Sequence, residues 1–311
     1  MEKIAAIIGA GLIGRAWAMV FARAGWQVRL YDNVPAQLDM AGEHIATSLA
    51  LQHEAGLVDD ADGAVGRVSM VTRIDDALAD VDWVQENLPE LVEVKRDVFR
   101  ALDTLAPAAA VLASSTSAIP ASRFTENLAG RARCLVAHPV NPPHLIPVVE
   151  LCGAPWTSAA TIERAKVVMA EVRQVPVVVR RELEGFILNR LQGALLSEAL
   201  RLVGEGYVSP EDLDKTIAHG LGLRWSFIGP FATIELNAPG GVADYCARYG
   251  GFYRKLAADP PAPHVWDADN AARVVAMLGE APVPAERDRR MTERDRRLLA
   301  LARHKRDQSD T

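Results

Sequence analysis

The sequence predicts an α/β protein, a doubly wound, mostly parallel sheet followed by a second, all-helical C-terminal domain. Three observations carry this. Short apolar runs alternate with amphipathic helical patterns from residue 3 to residue 180, the rhythm of a sheet covered on both faces. The first run opens into Gly9-Ala10-Gly11-Leu12-Ile13-Gly14, glycines set between a strand and a helix. Beyond Arg180-Arg181-Glu182 convincing strands cease, so the expected domains are 1–182 and 183–311.

Residues 3–8 form the first strand and 12–23 the first helix, with Gly25 as its stop. Residues 27–31 form the second strand, and Asp32 sits at its end, 18 residues after Gly14. In this context each glycine has a task. Gly9 allows the tight turn, Gly11 lets the backbone approach a pyrophosphate, and Gly14 lets helix and strand pack closely. Gly9, Gly11, Leu12, Ile13 and Gly14 are therefore cofactor-binding candidates. Asp32 joins them: it would accept bonds from the adenosine ribose and repel a 2′-phosphate, which favours NAD over NADP. The competing explanation is a glycine-rich turn in some other α/β protein.

A long helix is expected over 35–57, broken by Asp59-Asp60-Ala61-Asp62-Gly63, with strands at 68–71 and 81–84. Gln85 to Glu90 then follows a strand and opens a helix over 91–105. Such a strand end faces the cofactor crevice, so Glu90 and Lys95 are further cofactor-binding candidates. The alternative is a first-turn acid and a solvated lysine. Strand 110–113 ends in Ser114-Ser115-Thr116-Ser117, four hydroxyls that either cap a helix or place one oxygen on a substrate.

Strand 133–137 delivers His138, and from there to Leu151 the chain carries Pro139, Pro142, Pro143 and Pro147. Proline fixes φ and removes a donor, so this segment is no helix but a stiff loop returning into strand 148–151. It can bring His138 back against Glu150. Imidazole is suited to proton transfer near neutral pH, and a carboxylate on its far nitrogen would fix the tautomer. The alternative is a proline-rich connection that happens to hold two histidines. The second, His144, is expected to be a surface or loop residue. A helix over 161–173 and a valine strand over 175–179 complete the first domain.

The second domain opens with an apolar helix over 186–203. Ser209-Pro210-Glu211-Asp212 starts another, with serine as cap and acids on the dipole. Residues 220–230 read as a glycine-rich loop carrying Arg224, followed by helices over 234–256 and 268–278. The dense sign alternation of 286–310 predicts a solvated, marginal helix with a frayed tail.

The totals narrow the partners. A formal net charge of -6 argues against nucleic acid. Three cysteines stand far apart without metal-ligand spacing, so no metal is expected and a reduced, cytoplasmic setting is favoured. No apolar run reaches membrane-spanning length, and the start leads straight into a strand without room for a signal peptide.

Taken together, the glycine motif, Ser117, His138-Pro139-Val140-Asn141-Pro142, Glu150 and Gly185-Phe186-Ile187-Leu188-Asn189-Arg190 resemble the L-3-hydroxyacyl-CoA dehydrogenase superfamily. Ser114-Ser115-Thr116-Ser117, Ile146-Pro147-Val148-Val149-Glu150-Leu151, Val208-Ser209-Pro210-Glu211-Asp212 and Phe227-Ile228-Gly229-Pro230 resemble its lambda-crystallin branch, the L-gulonate 3-dehydrogenases. The similarity runs to about residue 250. It implies a Rossmann-type NAD-binding domain and a helical C-terminal domain that forms a homodimer. It implies His138 as catalytic base, Glu150 as its partner, and Ser117 and Asn189 as catalytic and substrate-binding groups at the reacting oxygen. Arg224 is implied to meet a substrate carboxylate. The expected activity is oxidation of the 3-hydroxyl of a small hydroxy acid, L-gulonate to 3-dehydro-L-gulonate. The alternatives are a 3-hydroxyacyl-CoA or carnitine dehydrogenase, or a crystallin-like structural protein.

Overall fold

The computed structural model describes residues 2–308. The chain divides into two units, one of residues up to Asn189 together with those from Asp288 onward, the other Arg190–Arg287. The first unit holds a single eight-stranded sheet. Its strands are β1 (Ile4–Ile8), β2 (Gln27–Tyr31), β3 (Val68–Val71), β4 (Trp83–Glu86), β5 (Val111–Ser114), β6 (Cys134–Pro139), β7 (Val148–Gly153) and β8 (Val175–Val179). They lie in the order β3-β2-β1-β4-β5-β6-β7-β8, and every neighbouring pair is parallel except β6 and β7.

Alternation along the strands divides the core in two. Ala5, Ile7, Val28, Leu30, Leu135, Ala137, Val149 and Leu151 face one side. There they meet α1 (Leu12–Arg23), α2 (Pro35–Glu54) and α7 (Ala159–Glu171). Ala6, Ile8, Val84, Leu112, Val136 and Cys152 face the other, where Phe99 and Leu102 of α5 (Val92–Leu105) and Phe124 of α6 (Ser122–Thr125) cover them. Strands buried on both faces need no polar alternation, which is why they read as continuous apolar runs. β2, with Gln27 and Arg29, and β4 depart from this. β4 runs two residues later than the apolar stretch predicts, because Gln85 and Glu86 are strand residues, fully buried and hydrogen-bonded through their side chains.

The acidic break expected at 59–63 contains α3 (Ala61–Gly66), whose cap Asp60 accepts from the Gly63 amide at 2.8 Å. A further short helix, α4 (Ile74–Leu78), precedes β4. The second unit is helical: α8 (Leu188–Gly204) enters it, followed by α9 (Pro210–Thr216), α10 (Gly222–Trp225), α11 (Pro230–Leu236), α12 (Gly241–Ala257) and α13 (Ala268–Leu278). Two sequence expectations fail here. The supposed glycine-rich loop is largely helical, a π turn over Ile217–Leu221 running into α10. A Cβ on Gly222 would stand 3.0 Å from the Ile217 carbonyl, so this glycine admits close passage rather than looseness. The single helix expected over 234–256 is two, because Ala238-Pro239-Gly240 interrupts it. The C-terminal segment forms one helix, α14 (Pro284–Asp307), with Leu299 buried. From Asp288 it groups with the sheet-bearing unit, and the expected frayed tail at 309–311 lies outside the described residues.

Candidate active site

The nucleotide side is built by the β1–α1 turn. Gly9 sits at φ +95°, and a Cβ on Gly14 would fall 1.8 Å from the Gly9 carbonyl, so no side chain fits there. A Cβ on Gly11 would meet nothing within 4 Å, which marks an open cradle. The helix start at Gly11 has no side-chain cap, leaving the Leu12 and Ile13 amides to an outside acceptor. Asp32 braces the turn, its Oδ2 accepting from the Ala10 amide at 2.9 Å and its Oδ1 from Val34 at 3.0 Å. An open cradle, uncapped amides and an adjoining half-buried carboxylate fit a dinucleotide.

Glu90 and Lys95 take different places. Glu90 Oε1 accepts from the Thr116 hydroxyl and from the Ser117 and Ala118 amides at 3.0 Å, so it shapes the turn after β5. Lys95 is neither solvated nor aimed outward. It is 1% exposed, and its ammonium donates to Glu86 Oε1 and Oε2 at 3.1 and 3.0 Å and to the Leu88 carbonyl at 3.4 Å. An ammonium has three donors, and all three are used within this cluster. Glu86 is the residue that sequence reasoning missed. Fully buried, it also accepts from the Leu88 amide and Ser114.

The four hydroxyls after β5 are sorted by their partners. Ser114 donates to Glu86, Ser115 to Asn87 Oδ1 at 2.7 Å and Thr116 to Glu90. Only the Ser117 hydroxyl has no partner among the described residues, and Ser117 is exposed. Its carbonyl accepts from Asn189 Nδ2 at 2.9 Å, which brings these two predicted site residues together.

His138 and Glu150 stand directly opposite each other in the antiparallel β6–β7 pair. Both point to the face that carries Val136 and Cys152, because side chains alternate along each strand. His138 Nδ1 lies 2.9 Å from Glu150 Oε2, with both residues buried. Glu150 Oε1 accepts from the Ile187 and Leu188 amides at 2.8 and 3.0 Å. Burial works against its ionisation, but the bonds from His138, Leu188 and Ile187 outweigh that and hold its carboxyl below the ordinary range. An ionised carboxylate only accepts, so Nδ1 donates to Glu150, and in the neutral imidazole Nε2 is then the acceptor. Nε2 has no partner among the described residues. The arrangement is a base with one nitrogen anchored and the other open.

His144 is in the loop as expected, but it is buried rather than at the surface. Its Nε2 lies 3.4 Å from Ser48 Oγ, and its carbonyl accepts from Arg23 at 2.7 Å. Burial, with nearby Arg23, His44, Arg15 and Arg294, pushes its imidazole down to about 3. A neutral, enclosed ring of this kind does not act as the base at neutral pH. Arg224 belongs to the second unit, on α10, and is exposed. Among the described residues no His/Cys/Asp/Glu group could hold a metal, and no helix is long and apolar enough to cross a membrane.

Comparisons with known proteins identify the family. Residues 4–183 match the family model "3-hydroxyacyl-CoA dehydrogenase, NAD binding domain" and residues 185–273 match "3-hydroxyacyl-CoA dehydrogenase, C-terminal domain". Lambda-crystallin of Oryctolagus cuniculus is 41% identical over 305 residues, covering 96% of this chain and 95% of that protein. An L-carnitine dehydrogenase of Streptomyces griseus is 35% identical over 291 residues, covering 91% and 86%. Among solved structures, an NAD+-dependent 5-formyl-3-hydroxy-2-methylpyridine 4-carboxylic acid 5-dehydrogenase superposes with TM-score 0.87 at 31% identity, covering 99% and 100%.

Proposed function

The chain belongs to the 3-hydroxyacyl-CoA dehydrogenase family, with an NAD-binding N-terminal part, and we propose that it oxidises the 3-hydroxyl of a small free hydroxy acid, L-gulonate in the first instance. The observation that carries the reading is the anchored His138, its Nε2 open, with Ser117 the free hydroxyl of its cluster. NAD, when bound at the β1–α1 cradle, supplies the hydride acceptor. His138 takes the hydroxyl proton on Nε2, and Glu150 stabilises the imidazolium that forms. General-base help of this kind is worth about 10²–10⁴-fold. Ser117 and Asn189 hold the reacting oxygen, so that the bond from carbon to hydrogen has one orientation. In reduction, the protonated His138 returns its proton and the same donors polarise the ketone. Asp32 selects NAD through the ribose, Gly9, Gly11, Leu12, Ile13 and Gly14 receive the pyrophosphate, and Glu90 shapes the turn that presents Ser117. Lys95 acts from beneath, by fixing Glu86.

Arg224 is assigned to the substrate carboxylate, which a guanidinium meets in bidentate fashion. The name of the carnitine dehydrogenase supports a free hydroxy acid, whereas the family's own name supports a 3-hydroxyacyl-CoA thioester. Steady-state NADH formation with L-gulonate, 3-hydroxybutyrate, L-carnitine and 3-hydroxybutyryl-CoA separates them, and preference for the thioester sinks the free-acid reading. A crystallin-like protein without catalysis has no need of the dyad. His138→Ala is expected to lower turnover by about 10²–10⁴-fold while NADH still binds, and retained turnover would refute the mechanism.

A homodimer through the second unit is part of the proposal. Among its described residues only Val203, Thr233, Ala238, Val265 and Asn270 are buried, while Phe231, Leu236 and Tyr207 are about three-quarters exposed. Helices with so little core of their own call for a second copy. Sedimentation at a monomer mass would count against it. Free thiols at Cys134, Cys152 and Cys246 support the cytoplasmic assignment.

A further inference from the structure

We propose that the Gly185–Phe186 turn is the positioning device of the base: its two left-handed residues aim the Ile187 and Leu188 amides at Glu150, and the Phe186 ring closes one side of the His138 imidazole. The inference rests on the dyad reading above. Gly185 has φ +72° and Phe186 φ +46°. Glycine enters this region freely, whereas a bulky side chain enters it against steric resistance. A glycine at 186 would make the same turn without that resistance, so the phenylalanine is explained by its ring.

The ring is fully buried. Its centroid lies 5.5 Å from that of the His138 imidazole, with the planes 37° apart. It shares an apolar cluster with Val136 and Cys152, each two residues along the strand from His138 and Glu150. The turn also delivers main chain. Ile187 and Leu188 follow the left-handed pair directly, and both amides donate to Glu150 Oε1. Successive amides beyond such residues form a concavity for an anion. With Oε1 held there and Oε2 on His138, the carboxylate cannot rotate away. The imidazole is thus fixed on one edge by Glu150 and packed against the Phe186 ring, which leaves Nε2 to the substrate. Gly185 and Phe186 touch no reacting atom and act through the dyad.

Three variants separate the two contributions. Phe186→Leu keeps apolar bulk but removes the flat ring, Phe186→Gly keeps the turn without the ring, and Gly185→Ala keeps the ring but burdens the turn. Turnover is read with whichever of the four substrates above supports the fastest NADH formation. NADH affinity is read by fluorescence, and the Ile187 and Leu188 amides by ¹⁵N NMR of the full chain without cofactor. Small misplacements of reacting groups cost up to on the order of 10²-fold. Both Phe186 variants are expected to lose about tenfold in kcat, with NADH affinity unchanged. Gly185→Ala is expected to lose kcat similarly and to move both resonances. A wild-type kcat in Phe186→Leu overturns the role of the ring, and where Phe186→Gly does not fold, Phe186→Leu decides. Unmoved resonances in Gly185→Ala overturn the role of the turn. Turnover surviving His138→Ala refutes the dyad itself. Turnover lost there but intact in the Phe186 variants refutes this inference alone.

Discussion

Glu150→Gln probes the base through its tautomer. In the native site Glu150 Oε1 accepts two amide protons and Oε2 accepts from His138 Nδ1. The introduced carboxamide has one oxygen and one NH₂. The two amides demand the oxygen at the Oε1 position, which turns the NH₂ toward Nδ1. His138 must then accept at Nδ1 and carry its proton on Nε2, so it cannot take the alcohol proton. Recovering the working tautomer requires flipping the carboxamide, which forfeits both amide bonds. Each is worth about 1 kcal/mol net, rising to 1–3 kcal/mol for a buried group left unsatisfied. The flip therefore costs about 2–6 kcal/mol, and at roughly 1.4 kcal/mol per tenfold kcat is expected to fall about 30- to 10⁴-fold. NADH binding should be unchanged, since the glycine turn and Asp32 make no contact with Glu150. Steady-state NADH absorbance gives kcat and fluorescence titration gives NADH affinity. A kcat within threefold of wild type would refute the tautomer argument.

Three further outcomes are expected. Asp32→Arg exchanges a ribose acceptor for a phosphate partner and should shift preference toward NADP; unchanged NAD:NADP selectivity in kcat/KM counts against the ribose assignment. Arg224→Met should raise KM for L-gulonate about 10- to 150-fold, the worth of a charge-assisted bond of 1.5–3 kcal/mol, and leave 3-hydroxybutyryl-CoA unaffected; equal effects on both would remove the carboxylate role. His144 stays neutral in the fold down to about pH 3, whereas unfolded it takes a proton below about 6.5. The unfolded state then binds more protons, so stability falls as pH drops below about 6.5, by about 2 kcal/mol between pH 7 and pH 5. His144→Leu should lose that much less over the same interval in urea titrations, and identical pH dependence in the two proteins would sink the argument.

Much of the glycine turn was legible because each part is a local constraint. Gly14 must lack a side chain because the Gly9 carbonyl lies where its Cβ would go, and both residues belong to one six-residue motif. The pairing of His138 with Glu150 was legible for a related reason. The proline-bearing loop joins two neighbouring strands, and the antiparallel register then places residues 138 and 150 opposite each other. Lys95 was not legible: a lysine on an amphipathic helix reads as solvated until Glu86, nine residues earlier on a strand, is seen to be buried beside it. Nor could the sequence sort Ser114, Ser115, Thr116 and Ser117. The partners of the first three, Glu86, Asn87 and Glu90, come from the end of β4 and the turn after it, some 26 to 28 residues away.

By itself, then, the sequence determined the alternation of strand and helix, the glycine turn with its carboxylate, the stiff return that carries His138, and the resemblance to a dehydrogenase family. Each depends on backbone freedom or spacing over a few residues. Only the tertiary structure decided which polar groups are already satisfied and which remain free. It enclosed Lys95 and His144, left the Ser117 hydroxyl and His138 Nε2 open, and set Ile187 and Leu188 on Glu150. The physical reason is that a hydrogen bond depends on atoms within about 3 Å, and here those atoms are supplied by segments far apart in the chain.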